Sequence, residues 1–348
     1  MKANHKPLVS IILPAFNEAG VIVKSLTTLT EYLNTLSDKF EWEILIVNDG
    51  SSDNTAELAD NFAISNDNIR VIHHRVNRNL GGALRTGFRN AIGEYIVVLD
   101  IDLSYAPDHV EMMVDELIAT EAEVVVASPY MKGGRTTSVP FLRLVLSKTV
   151  NKLMRLASGI NIHTFTSMAR AYKADFLKSL NLKSSTYSIN PEIIQKATIL
   201  RARIVEIPAH LDWSYQLTEG KTRTSSLRIY KGVLLGLMNS FIFRPYVFFM
   251  FVGITLLLIS TYVIVWIFYH TYVVFPDIVV PSGLWNDRFT EAIASVFRDR
   301  PHAFFVGGFT LIVALQFIGI GFLSLQSKRY FDELFHLNSG LLRKSKES

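Results

Sequence analysis

Asp100 and Asp102 stand two residues apart, directly behind the apolar run Glu94–Leu99 (EYIVVL). On an extended chain, side chains two apart point the same way. Neighbouring carboxylates repel unless a cation lies between them, and hard divalent ions take oxygen ligands. Mg2+ or Mn2+ in such a place shares its coordination with phosphate oxygens. The pair therefore points to a metal holding a diphosphate leaving group. D-x-D is frequent by chance, and a solvated loop is the plain alternative. The position behind a VVL run is what singles this one out.

Asp49 lies in NDGSSDNT, where Gly50 permits a tight turn and close backbone approach. Ser, Asn and Asp also favour turns on their own, so simple turn chemistry competes with a binding role. Asn79-Leu80-Gly81-Gly82 precedes a run carrying Arg85 and Gly87. Free backbone N–H groups at that helix start could meet a phosphate, with an ordinary helix start as the equal alternative.

Alternating strands and helices must position these residues. Leu8–Leu13, Glu43–Val47, Arg70–His74, Glu94–Leu99 and Glu123–Ala127 read as strands. Helices are expected from a cap at Asn17 to about Leu33, from caps at Ser51–Thr55 through Phe62, over Leu80–Ala91, and from Pro107. Apolar strands alternating with amphipathic helices imply an α/β fold, a mostly parallel Rossmann-like sheet with helices on both faces. Pro14 to Glu18, Asp49, Arg75 to Asn77, and Asp100 with Asp102 all follow strand carboxyl ends, the edge where open α/β sheets bind ligands.

The remainder of the 348 residues is unlike a soluble domain. Charged residues are 19% and the mean hydropathy is +0.25. Residues 246–269 and 303–326 carry no charge, and each would reach roughly 36 Å as a helix, enough to cross a bilayer core. Two buried core helices are the alternative. Lys221, Arg223, Arg228, Lys231 and Arg244 precede the first run, and Lys328, Arg329, Arg343, Lys344 and Lys346 follow the second. By the positive-inside rule both ends are cytoplasmic and the intervening loop is outside, which makes this an integral membrane protein of the inner or plasma membrane if prokaryotic. Residues 226–244 read as an amphipathic helix on the cytoplasmic surface, or as an ordinary helix packed on the globular part. The domains expected are 1–225 (cytoplasmic), 226–244 (juxtamembrane) and 245–348 (two spans and a cytoplasmic tail). Gly253, Gly307, Gly308, Gly319 and Gly321 suit close helix contacts, so a homo-oligomer is possible. Cys is absent, which excludes disulfides, thiolate metal sites and cysteine nucleophiles. The net charge of +4 is too mild to argue for nucleic acid.

PAFNE (Pro14–Glu18), VNDGSSDNT (Val47–Thr55), LGGALRTGF (Leu80–Phe88) and VLDIDLSYAPDHV (Val98–Val110) occur in this order. As a set, they resemble family 2 glycosyltransferases of the GT-A fold, and with two C-terminal spans they are most similar to polyprenyl- and dolichyl-phosphate sugar synthases. The resemblance covers about residues 8–225. It implies that Pro14, Phe16 and Glu18 line a nucleotide pocket, that Asp49 holds base or ribose, and that Asp100 serves the nucleotide–metal side. Asp102 would be the principal metal ligand. Ser104 stands where the family often has Gln, and Asn79 where it has the first Gly of N-x-G-x-G. Asn tolerates positive φ better than most residues.

For the acceptor, FLRLVLSKTVN (Phe141–Asn151) resembles the family's amphipathic acceptor helix, which implies a lipid phosphate held by Arg143 and Ser147 with Lys148 adjacent. The family's S-R-Y is Ser128-Pro129-Tyr130, so a phosphate-binding Arg is missing. D-x-T-S-G-F-R is Thr164 to Arg170, with Thr164 replacing the acid and Ser167 and Arg170 retained, which implies that Arg170 also serves the acceptor phosphate. Glu192 falls where the family keeps a Glu near the sugar, or is a helix N-terminal carboxylate. Glu206-Ile207-Pro208 matches the family's strand before the juxtamembrane segment. Lys221 and Arg223 would grip the acceptor or diphosphate, or form a membrane-surface basic patch. His73, His74, His163 and His210 read as surface or packing residues.

The partners implied are a nucleotide sugar, a polyprenyl phosphate lipid and the membrane, with Mg2+ or Mn2+ as cofactor. A lipid phosphate is already an anion and needs no strong base, so the expected reaction is inverting displacement at C1 by that phosphate, with Asp100, Asp102 and Arg143 as the catalytic groups. The competing readings are transfer to a sugar hydroxyl, for which no Q-x-x-R-W is present, and a non-catalytic nucleotide-sugar-binding module.

Overall fold

Continuous apolar strands require cover on both sides, and the computed structural model of the chain, which describes residues 6–214, 245–279 and 287–347, provides it. β1 (Leu8–Ala15), α1 (Ile22–Thr35), β2 (Glu41–Asn48), α2 (Thr55–Ile64), β3 (Ile69–His73), α3 (Leu80–Asn90), β4 (Tyr95–Val98), α4 (Asp108–Thr120) and β5 (Val124–Ser128) alternate in the expected order. One helix start is displaced. Asn17 does not cap α1. It sits at φ +58° and accepts the Ser52 N–H through Oδ1 (2.8 Å), and the Glu18 carbonyl takes the first turn's amides from Val21 and Ile22.

The second half adds β6 (Arg135–Thr137), α5 (Phe141–Ser158), β7 (Arg170–Lys173), α6 (Ala174–Ser179), α7 (Ile189–Ile199), β8 (Ile204–Pro208) and β9 (His210–Asp212). The main sheet has seven strands in the order β3-β2-β1-β4-β7-β5-β8. All pairs are parallel except those of β7, which runs antiparallel between β4 and β5. Alternation of side chains then makes two cores. Val9, Ile11 and Leu13 of β1 pack with Ile22, Leu26, Leu29 and Leu33 of α1, spaced as one helix face, and with α4. Ile12, Leu45, Val47 and Val98 pack on the other side with Leu84 and Phe88 of α3, Met154 of α5 and Ile193 of α7. β6 and β9 form a separate parallel pair, and Tyr105 bridges to Leu211 beside it.

The chain divides into two compact units, and the second is built on Arg244–Glu333. It contains α8 (Pro245–Val274), α9 (Arg288–Asp299) and the first part of α10 (Pro301–Glu347). α8 and α10 are each long and apolar enough to cross a membrane. Their contacts make an antiparallel hairpin. Lys328 Nζ lies 5.9 Å from the Tyr246 ring centroid, Gly253 lies against Ile318 and Ala314, and Ser260 Oγ donates to the Gly307 carbonyl at 2.8 Å. Close approach at Gly253, Gly307 and Gly321 comes from the missing Cβ, as expected of these small residues. Gly308 and Gly319 face open space instead. The helix expected over 226–244, together with Lys221 and Arg223, lies outside the described residues.

Candidate active site

β1, β2 and β3 end level with one another, since Ala15 pairs with Asn48 and Asn48 with His73. Their loops therefore emerge together, beside the loop that follows β4. The PAFNE turn is tied to the next loop by its amides. Asn17 N–H donates to Ser51 Oγ (3.0 Å), Glu18 N–H to Thr55 Oγ1 (2.8 Å) and Ala19 N–H to Asp53 Oδ2 (3.2 Å). Thr55 passes its own hydroxyl proton to Asp53 Oδ1. Burial alone would raise the Asp53 carboxyl. The bonds from Thr55 and Ala19 outweigh it and hold this group below its usual range. The N-cap of α2, Asn54, makes no side-chain cap bond; the side chains of Ser51, Asp53 and Thr55 grip the turn carrying Phe16 and Glu18 instead. Pro14 is half-buried between the buried Leu13 and Ala15, and Phe16 is exposed at the edge.

Asp49 is buried, and its Oδ1 accepts from His74 Nδ1 (2.6 Å) and from the Arg78 amide (2.9 Å). His74 is therefore no mere packing residue. It orients Asp49, and its Nε2 pairs with Thr86 Oγ1 at 2.9 Å. Gly50 sits at φ +71°, and a Cβ there would come within 2.8 Å of the Asn77 amide nitrogen. Asn79 takes φ +60° with ψ 171°, outside the left-handed helical region that Asn tolerates and in one that glycine favours, so Asn in place of the family's Gly leaves the backbone strained there.

Asp100 and Asp102 follow β4. Ser104 N–H donates to Asp102 Oδ1 (3.0 Å), and Ser104 Oγ reaches Asp100 Oδ2 at 3.5 Å. Burial pushes the Asp100 carboxyl up to about 8, and the charges of Asp102 and Glu18 push the same way. The Ser104 hydroxyl and the Arg143 guanidinium pull it down. Asp102, Glu18 and Arg143 are thus close enough to Asp100 to act on one carboxyl. A pair of neighbouring carboxylates is an environment that a divalent cation relieves. No cluster of three or more His, Cys, Asp or Glu suited to a metal occurs among the described residues, so substrate oxygens would have to complete such a coordination sphere.

Arg143 stands on α5 with its guanidinium 3.8 Å from the Trp213 ring centroid. Tyr130 OH donates to Ser147 Oγ (2.8 Å), and Lys148 Nζ lies 5.9 Å from the Tyr130 ring centroid. Burial holds the Tyr130 phenol above its ordinary value, against its bond to Ser147 and the pull of Arg143. Arg143, Ser147 and Lys148 are therefore gathered around Tyr130. Neither Tyr130 nor Trp213 was expected here, since a lone aromatic carries no spacing signal. β9 joins the two halves of the site: Asp212 N–H donates to the Ser104 carbonyl (2.9 Å), and Trp213 follows directly.

The role expected of Arg170 needs correction, and the alternatives left open at Gly81 and Glu192 fall to the helix-start readings. Arg170 is 0% exposed, and its guanidinium donates to the carbonyls of Ser167, Asn190 and Phe165 at 2.8, 3.0 and 2.6 Å. It starts the antiparallel β7 between Val98 and Val126, so it knits the sheet, and its full burial keeps it from a phosphate in the crevice. The Gly81 amide is spent on the Ser185 carbonyl (2.9 Å), and no phosphate can use it as placed. Glu192 accepts the amides of Lys183 and Ser184 (2.9 and 2.8 Å) and pairs with Lys196 (2.6 Å), which makes it the clamp of that same loop. Thr164, where the family has an acid, bonds Ser128 through its hydroxyl at 2.7 Å. Its N–H and that of His163 go to Glu206, which the sequence marked only as part of a strand.

Residues 10–180 match the model of the family described as Glycosyl transferase family 2. The chain carries a family 2 glycosyltransferase domain. Polyprenol monophosphomannose synthase of Mycolicibacterium smegmatis is 34% identical over 172 residues, which are 47% of this chain and 64% of that protein. The match thus spans just under two thirds of that relative. Undecaprenyl-phosphate mannosyltransferase of Micrococcus luteus is 29% identical over 203 residues, 57% of this chain and 80% of the relative. Among solved structures, glucosyl-3-phosphoglycerate synthase from Mycobacterium tuberculosis in complex with UDP is similar at a TM-score of 0.49 and 20% identity, covering 67% of this chain and 80% of that one.

Proposed function

We propose that this chain is a membrane-bound, inverting glycosyltransferase that moves a hexose from a UDP- or GDP-sugar to polyprenyl phosphate. The observation that carries the reading is electrostatic. The charge of Asp102 raises the Asp100 carboxyl and that of Arg143 lowers it, so an anion-repelling and an anion-attracting group serve one site. The gathered acceptor-side groups, Tyr130, Arg143, Ser147, Lys148 and Trp213, include no carboxylate. A hydroxyl acceptor would need a base there. A phosphate acceptor is already charged and needs cations to bring it beside another anion. The names of the M. smegmatis and M. luteus relatives, which both specify a polyprenyl-type lipid and mannosyl transfer, agree with this acceptor.

Asp102 and Asp100 would hold Mg2+ or Mn2+, which when bound supplies charge to the departing diphosphate. Phe16, Glu18 and Asp49 would frame the nucleotide. Arg143, steadied by Trp213, would orient the lipid phosphate for attack at C1 from the face opposite the leaving group. Phe141, Leu142 and Val145 of α5 are exposed beside Arg143, which suits a helix working at a lipid surface. Lys221 and Arg223 would add to the same attraction. We place the transferase domain on the cytoplasmic side, because the basic residues Lys328 and Arg329 lie at the hairpin end shared with Tyr246.

The test is transfer of radiolabelled sugar from UDP- and GDP-hexoses to undecaprenyl phosphate by the full-length chain, with Mn2+ or with EDTA. A labelled lipid product that mild acid hydrolyses, formed only with metal, is expected. Label appearing on a sugar hydroxyl acceptor instead, or equal turnover in EDTA, overturns the acceptor or the metal respectively.

A further inference from the structure

α9 lies in the segment between the two candidate spans, and nothing above gives it a role. Its apolar residues are Phe289, Ala292, Ile293, Val296 and Phe297, the i, i+3, i+4, i+7, i+8 pattern of a one-sided helix. Arg288, Glu291, Ser295, Arg298 and Asp299 occupy the other side. α9 packs on α8, and this covers only part of the stripe. Ala292 and Val296 are buried, whereas Phe289 remains 50% and Phe297 40% exposed.

The surroundings decide what meets the uncovered part. α8 has 30 residues and is about 45 Å long, which exceeds a hydrocarbon core of about 30 Å. Counted from the basic end at Tyr246 and Lys328, the core ends roughly twenty residues along, near Trp266. There the Arg300 guanidinium lies 4.8 Å from the Trp266 centroid, and the His270 ring lies 3.9 Å from the same ring. A tryptophan bearing a cation marks a membrane–water boundary. α9 is joined to α10 through Arg300 alone. Phe297 meets Phe304 and Phe305 of α10 at 5.2 and 6.1 Å, and Phe305 and Phe309 continue outward as exposed apolar surface. The uncovered stripe of α9 therefore runs without interruption into the surface that a spanning α10 turns to lipid.

We propose that α9 is an interfacial helix that sinks Phe289 and Phe297 into the acyl-chain boundary of the leaflet opposite the basic end, with its charged side in the headgroup layer. This rests on the reading of α8 and α10 as membrane spans. Such a helix, joined to α10 through Arg300 and packed on α8, sets the depth at which the two spans sit.

The chain has no cysteine, so single-cysteine spin labels report one site each. The full chain, in phosphatidylcholine–phosphatidylglycerol vesicles, is labelled at Phe289→Cys, at Ser295→Cys on the polar side, and at Leu258→Cys in the middle of α8. Power saturation compares collisions with oxygen, which concentrates in lipid, and with a water-soluble nickel chelate. The oxygen-to-nickel ratio at position 289 is expected to be several-fold above that at 295 and below that at 258. Phe297→Cys is the second variant should the first misfold, with the same expectation. If 258 is lipid-exposed while 289 and 297 match 295, or are shielded from both reagents, the interfacial role is wrong. If 258 itself collides freely with nickel, the membrane-span reading is wrong.

Discussion

His74 donates its Nδ1–H to Asp49 Oδ1 across 2.6 Å, with both side chains buried. The other ring nitrogen, Nε2, faces the Thr86 hydroxyl, so one imidazole fixes a carboxylate at the end of β2 to the middle of α3. His74→Leu leaves Asp49 with the Arg78 amide as the remaining donor to Oδ1. We expect a loss of about 1–3 kcal/mol in unfolding free energy, the cost of an unsatisfied buried group, together with weaker nucleotide binding. Urea denaturation and calorimetric titration with UDP and GDP would check both. His74→Asn, which keeps a donor, should retain part of each.

The raised Asp100 carboxyl makes the metal-free domain sensitive to pH. Its folded value, about 8, lies above the ordinary carboxylate value of 3.8. The stability contributed by its protonated form is complete below the lower value and is lost as pH rises through about 8. Stability of the metal-free domain should therefore decline from about pH 4 to 8 through this group, and Asp100→Asn should flatten that slope in thermal scans. Mn2+ must displace the same proton, so its affinity should strengthen with rising pH up to about 8, as titration at several pH values would show.

Arg143 and Trp213 should separate acceptor from donor binding. Arg143→Ala removes a charged hydrogen-bonding group, which at about 1.5–3 kcal/mol corresponds to roughly 10- to 100-fold in kcat/KM for polyprenyl phosphate. Trp213→Ala should cost less, about tenfold or under, because only the support of the guanidinium is lost. In both variants the KM for nucleotide sugar should change little. Equal loss for both substrates in steady-state kinetics would count against the assignment.

Gly81→Ala tests the loop clamp. The new Cβ would fall 2.4 Å from the Ser184 carbonyl oxygen, a backbone atom with no easy way to yield. We expect about 1–3 kcal/mol of destabilisation, read by denaturant titration, from forcing that loop off α3.

Strand positions and types were readable in the first 128 residues because unbroken apolar runs ended by Pro, Asn-Asp-Gly or Asp are strong local signals. β7 was not readable. RAYK is four residues long, and its reversed direction depends on pairing with β4 and β5, which no local pattern encodes. The carboxylate pair was legible for the same local reason, since both residues follow a single strand end. Arg170 misled because a retained arginine looks alike whether it holds a phosphate or three carbonyls, and only burial tells them apart. His74, Tyr130 and Trp213 act through partners 12 to 25 residues away or farther, so their roles emerge with the fold.

The turn bearing Phe16 and Glu18 is held by three of its own amides on Ser51, Thr55 and Asp53, with no ligand needed to shape it. The conformational entropy of those residues is therefore lost once, when the chain folds, and not again at each turnover. Under the proposed function, a nucleotide arriving at this rim would keep as affinity what a flexible loop would spend on becoming ordered.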